Sequence, residues 1–101
     1  MLTIFGSKMC SDCNEFKKHL DLHNISYTFI DINESLSNLK LFLQHRDTNH
    51  LFDDAKKMNK IGIPAFIEED GPLSIDWETY LKNHNIEISE YKSCDLEKKG
   101  C

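Results

Sequence analysis

The sequence predicts an α/β fold, a four-stranded mixed sheet with helices on both faces. Three observations point to it. Two short apolar runs, Leu2–Phe5 and Ser26–Ile32, flank a segment of helical periodicity, the pattern of a right-handed parallel strand–helix–strand unit. Further along, Asp70-Gly71 separates two more extended runs and signals an antiparallel hairpin. With 101 residues, the chain holds one domain and a single modest core.

The elements follow in order. Gly6-Ser7 ends the first strand. A helix over 11–24 carries Cys13, Phe16 and Leu20 on one face, with Asp12 and Glu15 in its first turn and Lys17, Lys18 and His19 further on, as the helix dipole favours. Tyr27, Phe29, Ile30 and Ile32 make the second strand. Ser35 caps a helix whose buried stripe is Leu36, Leu39, Leu43 and Phe42. Thr48 caps another, with Leu51, Phe52, Ala55 and Met58 turned inward and Lys56, Lys57 and Lys60 near its end. Ile61–Glu68 reads as the third strand and Pro72–Ile75 as its return, with Pro72 confined to an edge or an unpaired position. Asp76 caps a last helix through His84, burying Trp77, Leu81 and Tyr80. The remaining stretch, 86–101, is charged and aperiodic and reads as a tail.

Composition narrows the function. The chain is 40% apolar and 29% charged, ordinary for a soluble domain, and its net charge of −5 lacks the basic excess that a nucleic-acid backbone requires. There is no apolar run of membrane-spanning length and no secretory leader pattern, so the expected home is the cytoplasm. In a reducing compartment a Cys-x-x-Cys pair is catalytic or metal-binding rather than part of a disulfide framework.

That pair is Cys10-Ser11-Asp12-Cys13, at the junction of the first strand and helix. A nucleophilic cysteine acts as its thiolate, and unpaired N–H groups and the dipole at a helix start favour that ion. Free thiols ionise near a pKa of about 8.5, while Cys-x-x-Cys sites fall to roughly 3.5–7.5. Cys10, with Lys8 close by, is the expected nucleophile. Asp12, a carboxylate between the sulfurs, works against the thiolate. Cys13, one turn on and more buried, is the expected resolving thiol. A structural zinc site needs a second closely spaced pair, and Cys94 and Cys101 are too far apart, so no metal site is expected. Pro64, in Gly62-Ile63-Pro64-Ala65-Phe66, removes a ladder hydrogen bond from an otherwise good strand. Trans is the default for its peptide bond, whereas a cis bond would expose the Ile63 backbone to an incoming peptide.

The strand, Cys-x-x-Cys, helix and later Ile-Pro together resemble the thioredoxin superfamily, and glutaredoxins in particular, over about residues 1–84. The stretches Ile4–Cys13, His45–Thr48 and Lys60–Phe66 are similar to those of the small glutaredoxin-related proteins of bacteria. The resemblance implies a thioredoxin-like fold, a glutaredoxin-like domain over 1–85 with the charged tail 86–101, Cys10 as nucleophile, Cys13 as resolving thiol and Pro64 as a cis-proline facing them. It also implies substrate contacts at Lys8, Ile63, Pro64 and Asp76. Ser11 and Asp12 stand where glutaredoxins carry proline and an aromatic residue. Of the acidic pair that holds glutathione in the family, only the segment Ser74-Ile75-Asp76 offers a counterpart.

The expected function is that of a thiol–disulfide oxidoreductase, a monomeric enzyme reducing protein disulfides or glutathione mixed disulfides. No bound cofactor is expected; glutathione or a thioredoxin-reductase-type system would supply electrons, and neither nucleic acid nor membrane is a partner. An iron–sulfur or zinc carrier using Cys10 across a dimer is the alternative, and a non-catalytic peptide-binding module is a second. Arg46, Lys57 and Lys60 are candidates to meet a substrate carboxylate, though basic residues near helix ends also serve the dipole alone. Asp76 has the same double reading, as cap or as ligand group.

Overall fold

A computed structural model describes residues 1–69 and 71–87 of the chain. Its elements are β1 (Leu2–Gly6), α1 (Ser11–Leu22), β2 (Tyr27–Asp31), α2 (Leu36–Thr48), a 3-10 turn (His50–Phe52), α3 (Asp53–Lys57), β3 (Ala65–Ile67), β4 (Leu73–Ser74) and α4 (Trp77–Asn83). The sheet order is β2-β1-β3-β4. β1 runs parallel to β2, with Leu2 opposite Tyr27 and Gly6 opposite Asp31. β3 pairs antiparallel with β1 and β4. This is the four-stranded mixed sheet that the sequence predicts.

Alternation along the strands sends side chains to opposite faces. On one face Leu2, Ile4 and Phe66 join Phe16 and Leu20 of α1 and Trp77, Tyr80 and Leu81 of α4. The Phe16 ring is the hub, with centroids 5.3 Å from Phe66, 5.8 Å from Trp77 and 5.7 Å from Tyr80. On the other face Phe5, Ile32 and Ala65 pack with Phe42 and Phe52, and this second cluster also contains Cys10, Cys13 and Ile63. The dithiol therefore lies within a packed core, one turn above the end of β1.

Helix ends obey local chemistry. Ser35 Oγ accepts from the Asn38 N–H and Asp76 Oδ1 from the Thr79 N–H, as their sequence positions predict. Three helices terminate alike, with asparagine in the left-handed region: Asn24 (φ 56°), Asn59 (φ 58°) and Asn85 (φ 59°). In each, the next residue's N–H reaches back across the last turn, from Ile25 to Leu20 O (2.9 Å), Lys60 to Ala55 O (2.8 Å) and Ile86 to Leu81 O (2.9 Å).

Several expectations need correction. Ile86, read as the start of the tail, is 3% exposed and belongs to the core, because the Asn85 turn folds it back onto Leu81. Leu36, Leu51 and Met58, expected inward, are exposed at 73%, 39% and 50%. Phe42 and Phe52 fill the space instead. Thr48 does not cap a helix. It closes α2, donating its hydroxyl back to Gln44 O, while Asn49 caps the 3-10 turn through the Leu51 N–H. The third strand is only Ala65–Ile67 rather than 61–68, and the return strand only Leu73–Ser74. Asp70 of the hairpin signal, Cys94, Cys101 and the tail from residue 88 onward lie outside the described residues.

Candidate active site

β1 delivers the chain to Gly6, and four residues later Cys10 takes the N-cap position of α1 with extended backbone (φ −98°, ψ 119°). A cap residue presents its side chain to the orphan amides of the first turn. Here that side chain is a thiol, and Cys10 Sγ accepts from the Cys13 N–H at 3.3 Å.

The turn before it is held from both sides. The Cys10 N–H donates to Ser7 O (3.2 Å), and the Met9 N–H donates to Ser7 Oγ (3.1 Å). Ser7, buried at 4%, in turn donates its hydroxyl to Asn33 Oδ1. The Asn33 N–H is fixed by Asp31 Oδ1 at 2.8 Å, tying the turn to the end of β2.

Gly6 makes room for the second sulfur. A Cβ there would stand 2.8 Å from Cys13 Sγ and 2.9 Å from the Phe29 ring, so a side chain cannot be accommodated without displacement. Cys13 is fully buried and Cys10 only 4% exposed, and both are free thiols.

The two sulfurs are electrostatically unequal. The Cys10 thiol is held below its ordinary range, chiefly by the hydrogen bond from the Cys13 thiol. Burial opposes this, the Cys13 amide aids it, the Asp12 charge opposes it, and the Asp12 amide aids it. Cys13 is pushed strongly the other way. Its thiol bonds to Cys10, burial disfavours its charge and the Cys10 charge adds to the effect, while the Ser7 backbone works against them and the Asp12 charge contributes least. Lys8 does not figure among the causes acting on Cys10; its side chain is exposed and its carbonyl accepts from Asn14 Nδ2.

The segment opposite is built from Lys60–Pro64. The Ile63–Pro64 peptide is cis, and Ile63 O lies 4.0 Å from Cys10 Sγ. Gly62 adopts φ 94°, and a Cβ on it would meet the Phe52 ring at 2.7 Å. Arg46 reaches across from α2, with Nε donating to Ile61 O and Nη2 to Lys60 O, both at 2.9 Å. Its guanidinium is thus committed to holding this loop, a role the sequence reading did not assign.

Among the predicted site residues, Cys10, Cys13, Ile63 and Pro64 come together. Asp76 serves as the α4 cap, with its carboxylate bonded to both the N–H and the hydroxyl of Thr79. The positioning roles of Gly6, Ser7, Asn33 and Gly62 were not foreseen; the one local signal was the Gly-Ser pair closing an apolar strand.

A mixed sheet with helices on both faces, a Cys-x-x-Cys at the start of α1 and a cis-proline opposite define a thioredoxin-like protein. The family model described as Glutaredoxin matches residues 2–45. An uncharacterized protein of Haemophilus influenzae is 34% identical over 73 residues, covering 72% of this chain and 85% of the relative. No solved structure matches. The chain belongs to the glutaredoxin-related proteins of the thioredoxin superfamily, a thiol-redox family.

Proposed function

We propose that this protein is a thiol–disulfide oxidoreductase that reduces protein disulfides or glutathione mixed disulfides through Cys10 and Cys13. The observation that carries the reading is the inequality of the two sulfurs, with one thiol lowered at a helix cap and its partner raised and buried against it.

The cycle follows from that inequality. The Cys10 thiolate attacks one sulfur of the substrate disulfide, forming a mixed disulfide and expelling a thiolate that takes up a proton. Forming the mixed disulfide removes the Cys10 charge. The two Cys10 contributions that raise Cys13, the hydrogen bond and the charge, vanish with it. Cys13 is then easier to deprotonate at the moment its nucleophilicity is needed. It attacks the Cys10 sulfur, closes the internal disulfide and releases the second substrate thiolate, which accepts the Cys13 proton. The net change converts one substrate disulfide into two thiols and the protein dithiol into a disulfide.

Substrate contacts would come from the Ile63 backbone and Pro64 beside Cys10, with Lys8 and Asp76 at the periphery. Met9 (81% exposed), next to the nucleophile, and Ile61 (48% exposed), two residues before Ile63, add apolar surface on the segments that carry the site. Glutathione or a thioredoxin-reductase-type system would regenerate the dithiol in the reducing cytoplasm, with the protein acting as a monomer.

Disulfide reduction by wild type, Cys10→Ser and Cys13→Ser tests the reading. Cys10→Ser abolishes turnover. Cys13→Ser retains the first attack and accumulates a Cys10-linked adduct visible by mass spectrometry. Equal rates for wild type and Cys10→Ser overturn the proposal.

A further inference from the structure

Asp12 is the odd residue of the site. It sits on the first turn of α1 between the two cysteines, and only 7% of it is exposed. A buried carboxylate on the same helical turn as a sulfur meant to carry negative charge is unfavourable for the thiolate. Its backbone does the reverse, because the same residue's amide supports the Cys10 sulfur while its side-chain charge opposes both sulfurs. The two effects belong to different atoms of one residue and can be separated by substitution.

We infer that the Asp12 carboxylate is a positioning residue of redox poise, a buried negative charge that disfavours the dithiol state and makes Cys10–Cys13 the more reducing couple. This rests on the function proposed above. The reasoning is thermodynamic. The reduced pair carries the thiolate and the disulfide carries no charge, so a neighbouring carboxylate penalises only the reduced form. A couple whose reduced form is penalised gives up its electrons more readily. The chain's own geometry otherwise favours the reduced form, through the Cys13 thiol and amide at Cys10. Asp12 counterbalances them, biasing the protein toward donating electrons to substrate disulfides rather than oxidising thiols.

The test is equilibration of the full-length protein with glutathione buffers of graded composition at pH 9, where a thiol lowered below its ordinary range is ionised. In that exchange the Cys10 thiolate and Cys13 thiol together give up two electrons and one proton to glutathione disulfide, whose S–S bond breaks to give one glutathione thiol and one glutathione thiolate as the Cys10–Cys13 bond forms. Asp12→Asn keeps the amide and the side-chain shape and removes the charge. It is expected to shift the equilibrium about 3- to 10-fold toward the dithiol, the larger figure corresponding to about 30 mV. Asp12→Glu keeps the charge and is expected to stay within about 2-fold of wild type. Alkylation of Cys10 by iodoacetamide across pH gives a second readout, with the midpoint moving down in Asp12→Asn.

An Asn variant with the wild-type midpoint, in a protein whose Cys10–Cys13 disulfide titrates normally, overturns this inference and leaves the oxidoreductase reading standing. A Glu variant that shifts as far as Asn also overturns it, since packing rather than charge would then set the poise. A wild type that forms no Cys10–Cys13 disulfide at any ratio overturns both.

Discussion

Replacing Gly6 by alanine tests how tightly the fold and the chemistry are joined. The added methyl would lie 2.8 Å from Cys13 Sγ and 2.9 Å from Phe29 Cε1. Non-bonded carbons settle at about 3.5–4.0 Å from their neighbours, so roughly 1 Å of displacement must be found. The Phe29 ring is only half-buried at the sheet edge and can swing away. Cys13 cannot yield as easily, being fully buried in α1 with its amide bonded to Cys10 Sγ. Overpacking of this kind costs about 1–3 kcal/mol. Taking about 2 kcal/mol, and about 4–8 °C per kcal/mol for a domain of this size, Tm falls by about 8–16 °C. Because the displaced atom is the resolving sulfur, the mixed disulfide should also persist longer in Gly6→Ala than in wild type. Thermal unfolding of the reduced protein gives the first quantity, and quenched-flow mass spectrometry of the adduct gives the second. Adding Phe29→Leu relieves the ring but not the sulfur, so it should restore stability only in part. A Gly6→Ala protein within about 0.5 kcal/mol of wild type that resolves its adduct at the normal rate refutes the reasoning.

Other perturbations probe the opposing loop and the core. Gly62→Ala places a methyl 2.7 Å from Phe52 Cδ1 at a backbone position with φ 94°, and should destabilise by about 2–4 kcal/mol in urea unfolding. Arg46→Gln frees the carbonyls of Lys60 and Ile61; it should cost about 1 kcal/mol, because the guanidinium is partly solvated, and raise amide exchange in residues 60–63. Ile86→Ala should cost about 2–3 kcal/mol by urea denaturation, the response of a core side chain rather than of a tail.

Much of this was legible from residues alone, and the reasons differ by element. β1, α1 and β2 are local matters: short runs with the right period, bounded by Gly-Ser and by asparagine. Ser35 and Asp76 carry out the capping that their side chains predict. The place of Cys10 at a helix start was legible because the apolar strand, the Gly-Ser pair and the helical period that bound it are all local. What escaped was set by contacts across the chain. The strand expected over 61–68 shrinks because Arg46 seizes the carbonyls of Lys60 and Ile61, Gly62 turns left-handed, and Pro64 has no N–H to offer a ladder. Leu36 and Leu51 fit an apolar period yet remain exposed, since Phe42 and Phe52, paired edge to face at 5.8 Å, already fill the space above the sheet. Ile86 joined the tail in the sequence reading because the stretch 86–101 is charged and aperiodic. The signal that would have placed it inside was the asparagine before it, which turns three helix ends back onto themselves. Asp12 was visible as a charge between two sulfurs, but its burial was not.

Reactivity of the two thiols against pH is the most direct measurement. The fully reduced protein is alkylated with iodoacetamide between pH 4 and 10, and modification at each cysteine is read by peptide mass mapping. A lowered Cys10 should react with a midpoint below that of an ordinary thiol, losing reactivity as pH falls through that midpoint, while Cys13 stays unmodified as long as the fold persists. Cys13→Ala, which removes the thiol that most supports the Cys10 ion, should move the Cys10 midpoint upward. Equal labelling of Cys10 and Cys13 in the folded protein, both with the midpoint of an unfolded peptide, would contradict the claim that the cap of α1 makes one sulfur a nucleophile and its neighbour a reserve.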